Sequence, residues 1–216
     1  MFDFDLHRLY RKYRQHTMIP QPVFVDNLRL VRNHAPQAGA VVECGVWRGG
    51  MSGAVAELLG PQRDYYLFDS FEGLPEAQPI DGAAALAWQR DTSSPAYFDN
   101  CRAEMEHAGR AMRMSGAPRV HIVKGWFADT LKSFPPGERI AVLRLDGDWY
   151  ESTMQCLTEL YPRMCPNGLI IFDDYYAWDG CALAVHDYFS RMRLPCRMQQ
   201  SRRGVSYTLA AAPREL

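Results

Sequence analysis

The chain has 216 residues, a length that suits one α/β domain with a full hydrophobic core. Hydrophobic residues make up 47% of it, and 24 basic against 25 acidic side chains give a formal net charge of −1. This balance argues against nucleic acid or an anionic membrane as the main partner. We therefore expect a single domain over residues 1–216 that acts on a small molecule.

The six cysteines are scattered without C-x-x-C or metal-ligand spacing, which is typical of a protein from a reducing cytoplasm. The segment after Met1 lacks the basic and apolar regions of a signal peptide. No apolar run approaches the ~20 residues that a transmembrane helix needs. We expect a cytoplasmic protein.

The predicted elements alternate between helices and strands. Helices are predicted over residues 5–15, 25–33, 52–59, 151–161 and 181–192. Strands are predicted over residues 40–43, 65–68, 120–123, 140–145 and 169–172, with a closing hairpin over 196–200 and 205–209. This order predicts the α/β class, with a doubly wound, mostly parallel sheet that ends in an antiparallel hairpin.

Two segments stand apart from this alternation. Residues 1–35 form a helical N-terminal segment whose first helix carries Leu6, Leu9, Tyr10 and Tyr13 on one face. That face could pack on the protein's own sheet or on a second subunit, and the second alternative predicts a homodimer. Residues 76–118 form a long insert, partly helical at about 96–114, and its length favours a functional lid.

A glycine-rich turn closes the first predicted strand. Residues 43–50 read ECGVWRGG, in which Gly45 allows a tight turn and Gly49 lets a ligand approach a helix N-terminus. The spacing departs from the dinucleotide fingerprint and suits S-adenosylmethionine, which is cationic and has no pyrophosphate. A strand-to-helix turn with incidental glycines is the alternative.

The next two strands end in residues that could complete such a site. Asp69 can accept both hydroxyls of an adenosine ribose, or it can cap the turn that follows it. Trp126 and Phe127 could flank an adenine ring, although aromatic side chains more often belong to the core.

Three aspartates close the last two parallel strands. Asp146 ends the fourth strand, and Asp173 and Asp174 end the fifth. If these strands are neighbours, the carboxylates meet at one point, where repulsion and lost hydration favour a bound cation. Oxygen ligands alone indicate a hard ion such as Mg²⁺. The alternative is that the pair merely begins a loop. Asp148 stands three residues before Glu151, and this capping-box spacing assigns it to capping the next helix.

The chain resembles the macrocin/mycinamicin O-methyltransferase family. The resemblance is carried, in order, by VECGVWRGG at 42–50, LFDSFEGLP at 67–75, KGWFADTL at 124–131, LRLDGDWYES at 143–152 and IIFDDY at 170–175. It implies a Rossmann-like class I methyltransferase fold and an enzyme that depends on S-adenosylmethionine and Mg²⁺. Its acceptor would be a hydroxyl of a sugar unit on a natural product or glycoconjugate.

The resemblance also assigns site residues. The cofactor would be bound by Thr17, Met18, Glu43, Gly45, Arg48, Gly49, Ser52, Asp69, Ser70, Gly125, Trp126, Phe127 and Asp146. The metal would be held by Asp146, Asp173 and Asp174, with Asp146 also the catalytic base.

Other functions remain open at this point. A catechol could replace the sugar, because vicinal oxygens on Mg²⁺ would serve both acceptors. A phosphohydrolase would use Asp146 and Asp148 as nucleophile and acid, but it leaves residues 43–49 unexplained. A non-enzymatic module that binds S-adenosylmethionine is the remaining alternative.

Overall fold

The computed structural model describes residues 3–36 and 38–211. Its helices are α1 (Phe4–Tyr13), α2 (Gln21–His34), α3 (Gly50–Leu59), α4 (Gly82–Arg90), α5 (Met105–Ser115), α6 (Phe127–Thr130), α7 (Tyr150–Leu160) and α8 (Asp179–Arg191). Its strands are β1 (Ala40–Cys44), β2 (Tyr65–Asp69), β3 (Val120–Lys124), β4 (Ile140–Leu145), β5 (Met164–Phe172), β6 (Gln199–Gln200) and β7 (Ser206–Leu209).

The strands form one sheet in the order β3-β2-β1-β4-β5-β7-β6. The first five are parallel, and β7 joins β5 antiparallel, with β6 antiparallel to β7. The predicted doubly wound sheet with a closing antiparallel hairpin is therefore confirmed. The strand order reverses between β1 and β4, and this reversal creates a crevice beyond the carboxyl ends of those strands.

Helices cover both faces of the sheet, because alternate side chains along each strand point to opposite sides. Val142 and Ile171 pack with residues of α1, α2, α3 and α5. Leu143 and Ile170 pack with residues of α7 and α8. Burial on both faces explains why β4 and β5 read as continuous apolar runs.

The apolar face of α1 packs inside the protein's own fold. Leu6, Leu9 and Tyr13 are buried in the core that α2 and α3 share, and the Tyr10 ring meets the Phe24 ring at 5.4 Å. This face therefore offers no support for a homodimer, which stays a prediction. Within the described residues, no helix has the length and apolar character needed to cross a membrane.

The insert differs from its prediction in the first half. Helix α5 begins at Met105, and the residues from Phe98 to Cys101 all have positive φ angles instead of the predicted helix. A non-local contact holds this turn, since the Asn100 side-chain amide donates to the Leu74 carbonyl at 2.7 Å. In the preceding part of the insert, Trp88 of α4 packs against Trp149 and Trp178. The insert is thereby attached to the segments that begin α7 and α8.

Candidate active site

A cavity of about 490 Å³ opens at the carboxyl ends of β1, β2, β4 and β5. This is the crevice in which open α/β sheets bind their ligands, and its size falls in the range of small-molecule sites. The N-terminal segment and the insert complete its wall, through Thr17 and Met18 on one side and Glu76 and Cys101 on another.

The side of the cavity next to β1 and β2 is formed by Glu43, Gly45 and Asp69, and we call it the glycine-rich half. Gly45 has a φ of +83°, and a Cβ atom there would lie 1.7 Å from the backbone oxygen of Asp146. Gly49 has a φ of +77°, and a Cβ atom there would lie 2.7 Å from the Cα atom of Ala108 in α5. Both positions need glycine, so these glycines are not incidental to the turn.

Asp69 shapes this turn with both of its carboxylate oxygens. Its Oδ2 atom accepts hydrogen bonds from the backbone N–H groups of Val46 (2.6 Å) and Trp47 (2.8 Å). Its Oδ1 atom accepts one from the N–H of Phe71 at 2.6 Å. Burial raises the pKa of Asp69 above its ordinary value, and these three donors oppose that rise. The predicted turn role is present, and the ribose role remains a prediction.

Glu43 is buried and held by side chains from two other elements. Its Oε2 atom accepts a hydrogen bond from the Ser52 hydroxyl, and its Oε1 atom lies 2.7 Å from Nη1 of Arg144. Burial raises the pKa of Glu43, whereas Arg144 and Ser52 oppose that change. Both oxygens of this predicted cofactor ligand are therefore already engaged within the chain.

The opposite side of the cavity, which we call the acidic half, contains Asp146, Asp148, Asp173 and Asp174. One carboxylate oxygen from each of Asp146, Asp148 and Asp174 lies within 4.8 Å of the others. Asp173 instead places its Oδ1 atom 2.6 Å from Nη2 of Arg144. The structure thus brings Asp146 and Asp174 together as predicted, and it adds Asp148 to them while Asp173 pairs with the arginine.

The acidic half carries an excess of negative charge. Burial, and then repulsion by neighbouring carboxylates, raises the pKa of Asp174 well above its ordinary value. Burial likewise raises the pKa of Asp146, and it raises the pKa of Asp148 to about 6. Among the described residues that line the cavity, Arg144 alone has a permanent positive charge, against nine carboxylate side chains. An oxygen-only donor set with this excess fits a hard divalent cation.

The assignment of Asp148 to helix capping is wrong. Helix α7 begins at Tyr150, whose backbone N–H donates to Oδ1 of Asp81 in the insert at 2.7 Å. Asp148 has a φ of +59°, and its Oδ1 atom accepts a hydrogen bond from the Trp178 indole N–H at 2.8 Å. The positive φ turns its carboxylate toward the cavity, so a distant aspartate caps the helix instead.

Most of the predicted site residues share this cavity. Its wall contains Thr17, Met18, Glu43, Gly45, Asp69, Ser70, Trp126, Phe127, Asp146, Asp173 and Asp174. Within the described ranges, the wall leaves out Arg48, Gly49, Ser52 and Gly125. Ser52 still acts on the site through Glu43, and the Arg48 guanidinium lies 4.4 Å from the ring centre of Trp47, which does line the cavity.

Several residues of the wall were not predicted from the sequence. The most consequential is Arg144, whose signal was a charge inside an otherwise apolar strand, two residues before Asp146. Cys101, Trp149 and Gln155 also line the cavity. They come from the insert, from the residue before α7 and from the middle of α7, where no local pattern indicated a ligand.

Known proteins resemble this chain in sequence and in fold. The sequence model of the family described as macrocin-O-methyltransferase (TylF) matches residues 13–204. The solved structure of the O-methyltransferase NovP superposes with a TM-score of 0.74 at 30% identity, covering 91% of this chain and 83% of that one.

Two curated relatives are O-methyltransferases. The 8-demethyl-8-(2,3-dimethoxy-alpha-L-rhamnosyl)-tetracenomycin-C 4'-O-methyltransferase of Streptomyces olivaceus is 41% identical over 159 residues, which is 71% of this chain and 59% of that protein. The mycinamicin III 3''-O-methyltransferase of Micromonospora griseorubida is 35% identical over 162 residues, 71% of this chain and 61% of that protein. The chain therefore matches about three fifths of the length of these relatives.

Proposed function

Since the chain belongs to the macrocin O-methyltransferase family, we propose that it transfers a methyl group from S-adenosylmethionine to a hydroxyl of a sugar unit on a natural product. The observation that carries this proposal is the cavity in which a glycine-rich half faces an acidic half. The name of the Streptomyces olivaceus relative, which denotes an O-methyltransferase of a rhamnosyl compound, supports a sugar as the acceptor.

The glycine-rich half would hold the methyl donor, which supplies an electrophilic methyl group. Gly45 allows this turn to pack against the backbone of Asp146, and Asp69 fixes the N–H groups of the same turn. Trp126 is 39% exposed at the cavity and can stack on a planar ring. Thr17 and Met18 cover the site from the N-terminal segment and exclude water.

The acidic half would hold a divalent cation, with Mg²⁺ as the expected ion. Asp146 and Asp174 are the ligands that both the sequence and the geometry indicate, and Asp148 and Asp173 flank them. Such an ion supplies Lewis-acid polarisation, which makes a hydroxyl easier to deprotonate. Asp146 would accept that proton, while Arg144 would orient its carboxylate through Oδ2.

The insert would form the acceptor wall, since Glu76, Gln78 and Cys101 line the cavity. A catechol remains the second candidate acceptor, because Trp126 and Trp149 give that cavity two aromatic walls. Both acceptors present vicinal oxygens.

One experiment tests the donor and the acceptor together. The protein is incubated with S-adenosylmethionine and Mg²⁺ and with a panel of deoxysugar glycosides and simple catechols, and products are followed by mass spectrometry. We expect the mass gain of one methylene group on a glycoside. Methylation of the catechols alone would replace the sugar with the second candidate. Failure of calorimetry to detect S-adenosylhomocysteine binding would contradict the function itself.

A further inference from the structure

We propose that Arg144 is a positioning residue that holds an acid of the glycine-rich half and two acids of the acidic half in one fixed array. This inference rests on the proposed function, because it explains how the donor site and the metal site are kept in register. Arg144 would touch neither ligand and would act on both through the carboxylates that it contacts.

The contacts of Arg144 reach three carboxylates from three strands. Its side chain is only 5% exposed. Its Nη1 atom lies 2.7 Å from Oε1 of Glu43 and 2.7 Å from Oδ2 of Asp146. Its Nη2 atom lies 2.6 Å from Oδ1 of Asp173. A buried guanidinium with this many charged partners is a fixed centre of the site.

The sheet explains why one side chain can reach all three acids. Glu43 of β1 is the register partner of Arg144, and Ile171 of β5 is its partner on the other side. Asp146 follows Arg144 by two residues, and Asp173 follows Ile171 by two residues. The side chains of both aspartates therefore point to the same face of the sheet as that of Arg144. The planar fork of arginine can contact acids in several directions at once, whereas a lysine ammonium is a compact point charge.

Arg144 contacts Asp146 through Oδ2 and Asp173 through Oδ1, which leaves each carboxylate one other oxygen for a ligand. Groups that orient metal ligands in this way typically contribute 10–100-fold to metal affinity or activity. Charge and position can be separated here. If Arg144 only neutralised its neighbours, a lysine would replace it; if it positions them, a lysine would fail.

The experiment compares Arg144→Lys with Arg139→Lys, which makes the same change just before the opposite end of β4. Mg²⁺ and S-adenosylhomocysteine affinities are measured separately by calorimetry, and Mn²⁺ electron paramagnetic resonance reports the ligand geometry. We expect Arg144→Lys to weaken Mg²⁺ binding by about 10–100-fold, to weaken S-adenosylhomocysteine binding and to alter the Mn²⁺ spectrum. Arg139→Lys should change none of these.

The outcomes separate the inference from the proposed function. If the unsubstituted protein binds both probes and Arg144→Lys binds them equally well, the positioning role is overturned while the function stands. If the unsubstituted protein binds neither probe, both fail together. If Arg144→Lys does not fold, Glu43→Gln is compared with the double variant Glu43→Gln/Arg144→Met. The double variant removes Arg144 without leaving Glu43 as an unpaired buried charge. Equal Mg²⁺ affinity of those two variants would also overturn the role.

Discussion

The two halves of the cavity differ in how their carboxylates are compensated. In the glycine-rich half, Glu43 is held by Ser52 and Arg144, and Asp69 accepts three backbone hydrogen bonds. In the acidic half, Asp148 accepts one hydrogen bond from Trp178 and Asp174 accepts one from the Asp148 backbone N–H, and both also face other carboxylates. The carboxylates of the glycine-rich half are compensated by groups of the chain itself. Those of the acidic half carry an excess of negative charge that a cation would relieve. Substitutions should therefore have opposite effects on stability in the two halves.

The largest effect should come from Asp146→Asn, which keeps the shape of the side chain but removes the proposed base. We expect kcat for methyl transfer to fall by about 10²–10⁴-fold, the usual contribution of general base catalysis. Asp129→Asn, on the exposed face of the nearby helix α6, is the matched control and should leave kcat unchanged. A rate within tenfold of the unsubstituted enzyme would show that Asp146 is not the base.

The rigidity of the glycine-rich half can be tested at Gly45. Gly45→Ala and Gly60→Ala both place a side chain at a similar φ, +83° and +86°. At Gly45 the new Cβ would also collide with the Asp146 backbone, whereas at Gly60 nothing lies within 4 Å. We expect Gly60→Ala to cost about 1–3 kcal/mol of unfolding free energy, because its φ of 86° and ψ of −177° lie in a region that is nearly restricted to glycine. Gly45→Ala should cost more and abolish S-adenosylhomocysteine binding, as measured by urea unfolding and calorimetry; equal losses would contradict the tight packing.

A pair of charge-neutralising substitutions tests the contrast directly. Asp69→Asn turns an acceptor of three N–H groups into an amide that faces at least one of them with its own donor, and it should lower stability by about 1–3 kcal/mol. Asp174→Asn should raise the thermal midpoint of the metal-free protein, because it removes repulsion from Asp146 and Asp148. It should also abolish the rise in midpoint that Mg²⁺ gives the unsubstituted protein. Destabilisation by both variants would mean that the halves do not differ.

The same contrast explains what the sequence could reveal. The end of β4 at Leu145 and the end of β5 at Phe172 were predicted correctly, because strands buried on both faces leave uninterrupted apolar runs. Asp146 is the first residue after Leu145, and Asp174 is the second residue after Phe172. The left-handed turn around Asn100 was not predictable, since a hydrogen bond to the distant residue Leu74 holds it and no periodicity encodes it.

Within the site, local patterns found single residues but not their pairing. Arg144 meets Glu43 and Asp173 only because three strands align in one register, which the sequence does not display. Asp148 has the capping-box spacing, but its φ is positive, and Asp81 caps helix α7 instead. Both errors arise because the partners lie far apart along the chain.

The smallest effect concerns pH. The pKa of Asp148 rises from the ordinary 3.8 to about 6 in the folded protein, mainly through burial. The folded state therefore keeps a proton that the unfolded state loses, so this residue's contribution to stability is present below pH 4 and is lost as pH rises to about 6. Urea unfolding in EDTA between these values should show a steeper loss, or a smaller gain, for the unsubstituted protein than for Asp148→Asn. With Mg²⁺ the difference should shrink, because a bound cation favours the ionised carboxylates. Parallel curves for the two proteins in EDTA would show that Asp148 does not share the charge excess of the acidic half.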